Sequence, residues 1–295
     1  MIRKSEIEQI SKQKQIGKSQ IDKDWVLSHL LMAIISLPEL TNRMVFKGGT
    51  CIKKCYIPDY RFSEDLDFTI TDNKYVFNAD VVSEIMKKAT DLSFDEEFNR
   101  GIQFKLKNIE PTKSKEEEQG FKVFLHYWGA DHKKNEMPSD LILSWHHTIK
   151  LDINHTEEII FPVKKRPIGH NYSDKEIFRH TLVNCYSIEE ILTEKLRSLI
   201  QRKYTSPRDC YDIWFLKNQY PDIAWEEVKS AFRKKAANKN IDFEGIWQFI
   251  NPNKEKILFE HWNTQLKKQF PANTLPEYNL VINELKDFLT LLFYE

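Results

Sequence analysis

Two short segments constrain this chain more than anything else in it. Lys47-Gly48-Gly49-Thr50 closes the apolar run Met44-Val45-Phe46, and Asp65-Leu66-Asp67 opens the alternating stretch Leu66-Asp67-Phe68-Thr69-Ile70. Strict alternation predicts a strand with one face in the core, because successive side chains point to opposite sides. The two glycines predict a turn at the end of the preceding strand, where the main chain lies bare and φ > 0 is permitted. Between them, residues 50–56 are expected to form a short helix starting at Thr50, and Pro58-Asp59 marks the next turn. If the two segments act together, the fold is expected to set this glycine turn beside the aspartate-bearing strand.

The surrounding pattern is mixed. Residues 19–37 carry an apolar stripe at helical spacing (Ile21, Trp25, Leu27, Leu30, Leu31, Ile34, Ile35), limited by Pro38. Residues 76–90 read as a helix. Residues 102–109 and 121–128 read as strands around a charged tip, Lys113 to Gln119, and Ile149 to Asn154 alternates as a further strand. From Ser187 the character changes: residues 187–203 and 207–219 are helical in pattern, as is most of 222–295. The expected class is α/β (α+β), a mixed-sheet core followed by a mainly helical C-terminal half, with the change falling near residues 170–186.

Several function classes drop out. No apolar run approaches the roughly 18 residues of a membrane helix. Met1 to Gln20 is polar and Lys-rich, without the apolar segment of a secretory signal. The four cysteines, Cys51, Cys55, Cys185 and Cys210, form no CxxC pair and have no zinc spacing with histidine, so they read as buried thiols in a reducing, cytoplasmic setting. The formal net charge is +0, which removes a global attraction to nucleic acid but leaves room for a local basic patch.

Phosphate chemistry needs backbone N–H groups close to a polyphosphate and metal ions to neutralise its charge. Gly48, Gly49 and the start of a helix at Thr50 suit the first need, with Lys47 adding a positive charge. Asp65 and Asp67, two apart on a strand, share one face and suit Mg²⁺ or Mn²⁺. Asp152 lies with Lys150 and Asn154 on the polar face of its strand. It is either an exposed strand residue or, if that strand neighbours 66–70, a third carboxylate.

Further on, Ile188, Ile191, Leu192, Leu196 and Leu199 form a helix stripe that contains Lys195. A lysine there must snorkel, pair with a carboxylate or meet a bound anion. Asp209 lies on the buried side of the next helix and Asp212 at its edge. Asp209 either caps that helix with Ser206 or pairs with Lys195 or substrate. Arg202 and Arg208 are phosphate contacts or surface residues. Arg233, Lys234, Lys235 and Lys239 form either an RNA-backbone contact or a solvated helix face. The aromatics Trp247, Phe249, Trp262, Phe288 and Phe293 read as core.

Together these islands resemble the AbiEii/AbiGii-type toxin nucleotidyltransferases, of the DNA-polymerase-β-like superfamily. The resemblance rests on Val45-Phe46-Lys47-Gly48-Gly49-Thr50, on Arg61-Phe62-Ser63-Glu64-Asp65-Leu66-Asp67-Phe68, and on Lys150-Leu151-Asp152-Ile153. It continues in Ser187 to Leu196 and Arg208 to Trp214, in the family's order. It implies a nucleotidyltransferase core over 1–185, including the N-terminal helix, and a helical domain over 186–295 that completes the active site. It also implies Asp65, Asp67 and Asp152 as metal residues, and Lys195 and Asp209 as the later catalytic positions. Lys47, Gly48, Gly49, Thr50, Arg61, Ser63 and Asp212 become nucleotide-binding. The wider superfamily favours Gly-Ser in the turn, where this chain has Gly-Gly-Thr.

The implied activity is Mg-dependent transfer of a nucleoside monophosphate from an NTP to an acceptor hydroxyl. The expected acceptor is RNA, at the tRNA 3′ end, in a toxin of a toxin–antitoxin or phage-defence system with an AbiEi-like regulator as cognate antitoxin. Two rival classes are a non-catalytic nucleotide-binding regulatory protein and a metal-dependent nuclease.

Overall fold

The computed structural model describes residues 1–72, 74–75, 77–96, 101–114, 117–131, 147–202 and 205–294. Position 76 of the expected 76–90 helix, the centre of the charged tip at 115–116, and positions 203 and 295 lie outside the described residues. The chain forms two compact units, Met1–Glu157 with Val163–Cys185, and Glu158–Pro162 with Tyr186–Glu295.

In the first unit, helices α1 (Lys4–Lys14), α2 (Lys18–Ser36) and α3 (Pro38–Thr41) precede strand β1 (Met44–Lys47). Helix α4 (Gly48–Cys51) runs into a π-helical turn, Ile52–Tyr56, and is followed by β2 (Asp65–Ile70) and α5 (Ala79–Leu92). Strands β3 (Gln103–Ser114), β4 (Glu117–Trp128), β5 (His147–Asn154), β6 (Lys164–Pro167) and β7 (Leu182–Cys185) complete the unit. The seven strands make one sheet in the order β3-β4-β5-β2-β1-β7-β6. It is mixed: β1 and β2 are antiparallel, whereas β2 and β5, and β1 and β7, are parallel. The mixed α/β class expected from the sequence is the one observed.

The alternation in β2 does what strand geometry requires. Leu66, Phe68 and Ile70 are buried while Asp65 and Asp67 stay half-exposed, and β5 repeats the pattern with Ile149, Leu151 and Ile153 inside. Helix α2 is deeply buried, as its stripe predicts, and ends where Leu37 turns extended ahead of Pro38. Two corrections concern local boundaries. Helix α4 begins at Gly48, not Thr50, with Lys47 as its extended N-cap. Strands β6 and β7 and helix α1 are elements that periodicity did not reveal. Strand β6 is wholly exposed and charged, so it carries no alternation to detect.

A buried polar hub ties the 168–178 segment to α2. Trp25 Nε1 donates to Asp174 Oδ2 at 2.9 Å, and the Nε2 atoms of His29 and His170 lie 3.2 and 2.7 Å from the same carboxylate. Burial pushes the His170 imidazole down to about 4, so the histidine is neutral at ordinary pH. Burial opposes the charge of Asp174, but the hydrogen bonds from His170 and His29 hold it well below the usual carboxylate range.

The second unit is helical: α6 (Ile188–Gln201), α7 (Pro207–Gln219), α8 (Trp225–Asn238), α9 (Pro252–His261) and α10 (Tyr278–Phe293), with short 3₁₀ and π turns between. Ser187 caps α6 by accepting from the Glu190 N–H. The Glu190 carboxylate accepts from the N–H groups of Ile160 and Phe161, at 3.0 and 2.8 Å, which groups Glu158–Pro162 with the helices. Phe232, Phe243, Phe249 and Phe293 form an aromatic core with ring centroids 5.0–5.4 Å apart. Phe249, Trp262 and Phe293 are core as expected and Phe288 is half-buried, but Trp247 is 57% exposed.

Candidate active site

The sheet register gathers the acidic residues. Strand β2 lies between β1 and β5, and its Asp67 pairs with Lys47 on one side and with Asp152 on the other. Asp65 pairs with Lys150. Because neighbouring strands lie about 4.8 Å apart, residues in register on one face share a patch. The third carboxylate therefore joins the first two, on the polar face that β2 and β5 share.

The glycine turn lies directly against this patch. A Cβ built on Gly48 would sit 2.2 Å from Asp67 Oδ2, and Gly48 adopts φ +79. A side chain is excluded there twice, by the backbone conformation and by the aspartate. A Cβ on Gly49 would lie 3.0 Å from Arg61 Nη2 and 3.2 Å from Ser63 Oγ. Arg61 and Ser63, both buried, thus close the other side of the turn. Thr50 Oγ1 donates to the Asp65 carbonyl at 2.5 Å, fastening the start of the helix to the start of β2.

Electrostatics mark the patch as short of positive charge. Burial first, then the negative charges of Asp65 and Asp152, push the Asp67 carboxyl up to about 6, against the pull of Lys150 and Lys47. Lys150 stands among the carboxylates, with Nζ 3.1 Å from Asp65 Oδ2 and 3.7 Å from Asp152 Oδ2. Burial works against its charge, but Asp65, Asp67 and Asp152 outweigh that and raise its pKa. The sequence placed Lys150 on the polar face without giving it a role. Its signal was there, since a lysine two residues before an inward aspartate on one strand shares its face.

Three carboxylates are hard oxygen donors of the kind that hold Mg²⁺, and the strained Asp67 carboxyl would be relieved by a divalent cation. The donor set suits such an ion by its oxygen chemistry alone, because Lys150 pairs with Asp65 and Asp152. The three aspartates are spread around Lys150, and they are not among the groups of ligand atoms that fall within 4.8 Å of one another; among the described residues those are Cys51–Cys55–Cys185 and His29–His170–Asp174.

Gly48→Ala tests the close approach. The left-handed backbone costs a non-glycine residue about 1–2 kcal/mol, and the added methyl must displace the Asp67 carboxylate. Chemical denaturation should show that loss, and NTP titration should show binding weakened at least tenfold. Gly49→Ala, whose new methyl meets movable Arg61 and Ser63 side-chain atoms, should be milder on both counts.

In the second unit, Lys195 is held by two buried carboxylates, at 2.7 Å from Asp209 Oδ1 and 2.8 Å from Asp212 Oδ2. Arg202 Nη1 donates to Asp209 Oδ2 at 2.6 Å. Of the readings open for Lys195 and Asp209, the structure takes pairing, because the Ser206 hydroxyl makes no capping hydrogen bond. Burial opposes ionisation of Asp209, but Lys195 and Arg202 keep its pKa low. Asp212 is fully buried and faces Lys195, so it positions that lysine and does not meet solvent.

The basic run on α8 is corrected. Lys235 is buried in an ion pair with Glu190, with Glu194 Oε1 3.2 Å away, so it is not available to an RNA backbone. Its signal was legible: Val228, Ala231, Phe232 and Lys235 fall at helical spacing on one buried stripe. Arg233 and Lys234 are exposed, and Lys234 pairs with Glu158.

A glycine turn against an aspartate-bearing central strand, on this mixed sheet, defines a nucleotidyltransferase. The family profile of the nucleotidyl transferase AbiEii toxins of type IV toxin–antitoxin systems matches residues 29–290, and the chain belongs to that family. It is accordingly a transferase enzyme. Two solved structures share the fold. One, from H. pylori and assigned as a nucleotidyltransferase, aligns with TM-score 0.54 and 16% identity over 94% of this chain and 96% of its own. The other, the nucleotidyltransferase toxin MenT4 from Mycobacterium tuberculosis, aligns with TM-score 0.55 and 16% identity over 94% of this chain and 85% of its own. No curated relative matches the sequence. Among the described residues, no helix is long and apolar enough to cross a membrane.

Proposed function

We propose that the chain transfers a nucleoside monophosphate from an NTP to an acceptor hydroxyl on RNA, at the 3′ end of tRNA, and releases pyrophosphate. The observation that carries this reading is the contact between Gly48 and Asp67, which puts a bare main-chain turn and a carboxylate cluster at one spot. The Gly48, Gly49 and Thr50 amides, with Lys47, hold the triphosphate, and Arg61 and Ser63 steady it from behind the turn. Asp65, Asp67 and Asp152 would hold Mg²⁺, which when bound neutralises the charge that builds on the polyphosphate. Asp152 also aligns the attacking hydroxyl by accepting its hydrogen bond. The hydroxyl oxygen forms a new bond to the α-phosphorus as its proton passes to solvent by way of Asp152, and the bond from that phosphorus to the α–β bridging oxygen breaks, so that pyrophosphate leaves with the bridging oxygen.

We take Lys195, fixed by Asp209 and Asp212 within the helical unit, as the later catalytic position that the family resemblance implies. Membership of a type IV toxin–antitoxin family supports an antitoxin partner, which we take to be a transcriptional-regulator type encoded alongside. An enzyme that draws on NTP and tRNA works in the cytoplasm.

Incubation with labelled NTPs, Mg²⁺ and total RNA, followed by sequencing of RNA 3′ ends, tests the reading and identifies acceptor and base together. Label at tRNA 3′ ends, lost in Asp65→Ala, is expected. NTP binding without incorporation would make the chain a nucleotide-binding regulator, and shortened RNA would make it a nuclease.

A further inference from the structure

Cys51 and Cys55 lie four residues apart and Cys185 far from both in the sequence, yet all three are buried and their sulfur atoms fall within 4.8 Å of one another. Cys51 follows directly on the Gly48-Gly49-Thr50 turn, Cys55 lies one turn further along the same helical segment, and Cys185 ends β7, where it pairs with Phe46 of β1. One helical segment and one strand end thus aim three thiols at one point.

The surroundings suit a positive ion bound by thiolates. The Arg166 guanidinium lies 4.9 Å from the Tyr56 ring centroid, and its Nε donates to the Cys55 carbonyl at 3.2 Å. The Tyr56 hydroxyl stands 3.7 Å from Cys185 Sγ. Three thiolates carry a charge of −3; one divalent ion and Arg166 cancel it, so the occupied site is neutral within its buried setting. Tetrahedral Zn–S bonds of about 2.3 Å place sulfur atoms just under about 4 Å apart, within reach of the spacing here.

We propose that Cys51, Cys55 and Cys185 bind one Zn²⁺ ion, which pins the helix after the phosphate turn to the end of β7. Binding displaces the thiol protons to solvent, so affinity rises with pH. Thiolate sulfur selects zinc over magnesium, which keeps this site chemically distinct from the aspartate cluster.

The test begins with the full-length chain purified under reducing conditions and passed through a chelator-washed column. One zinc per chain should remain, and its X-ray absorption edge should show three sulfur neighbours. After metal removal, Co²⁺ should restore an intense thiolate-to-cobalt charge-transfer band that persists in Asp65→Ala/Asp67→Ala and in Cys210→Ser but disappears in Cys51→Ser/Cys185→Ser. Zinc should also raise the melting temperature of the unaltered chain and leave that of the double serine variant unmoved. Absence of both retained zinc and the cobalt band, or zinc with only oxygen and nitrogen neighbours, overturns the proposal. The absorption measurement needs no variant, so it decides the matter even if the serine substitutions impair folding.

Discussion

Asp67→Asn will abolish nucleotide incorporation, by at least about 10²–10³-fold, while leaving the protein as stable as before or more so. The two halves of this expectation have one cause. Burial and the charges of Asp65 and Asp152 push the Asp67 carboxyl up to about 6. A carboxyl raised above its unfolded value binds its proton more tightly in the folded state. Its ionisation therefore costs stability as pH rises from about 4 through about 6, and the cost is complete at neutral pH. Asparagine removes the charge, and with it the repulsion, along with one oxygen donor of the metal set. Melting curves at pH 3.5 and pH 8 check the stability half: the variant should gain on the unaltered chain at pH 8 and draw level below about pH 4. Labelled NTP incorporation checks the other. A variant that keeps full activity would remove Asp67 from the chemistry. One that unfolds would make it a structural residue.

The second large effect lies in the support beneath the turn. Lys54, in the π turn that continues α4, donates to Asp24 Oδ2 at 2.7 Å and to the Asp24 carbonyl at 3.0 Å, with both side chains buried. Tyr172 Oη donates to the same Oδ2 at 2.7 Å. This ties α2, the turn after the glycines and the 168–178 segment together. Asp24→Ala should cost about 3–5 kcal/mol, because it strands a buried ammonium. Asp24→Leu with Lys54→Met should recover much of that loss, since it removes both charges.

The pair also sets an acid limit. Burial resists the charge of Asp24, but Lys54 and Lys53 overcome it and hold the carboxyl down to about 2. A pKa depressed in the folded state contributes stability that is whole above the unfolded value near 3.9 and fades as pH falls toward 2. Urea denaturation midpoints at pH 7, 4 and 2.5 should show this fall in the unaltered chain and not in the doubly substituted one. Equal slopes in both would show that the ion pair contributes nothing.

Local pattern carried much of the candidate site. Two aspartates at i and i+2 on an alternating strand can only share a face, and two glycines after an apolar run leave the main chain there without side chains. Both follow from covalent geometry, so Asp65, Asp67, Gly48 and Gly49 were legible before any fold was known. The helix stripe around Lys195 likewise demanded a partner for a lysine among leucines. The start of α4 was misplaced by two residues because glycine's weak helix preference argues for a later start, while the tertiary setting of Lys47 as an extended cap begins it earlier. Lys235 was misread because its charge was weighed above its position in the helical repeat.

Long-range pairing decided the rest. That Asp152 stands level with Asp67 depends on β5 lying parallel to β2 across more than eighty intervening residues, a neighbour relation that no window of sequence contains. The same holds for Lys150 among the carboxylates, for the meeting of Cys51, Cys55 and Cys185, and for His29 with His170 on Asp174. Side-chain direction is a property of each strand or helix and is written locally. Strand order and register are set by which faces bury together, and only the folded sheet states them.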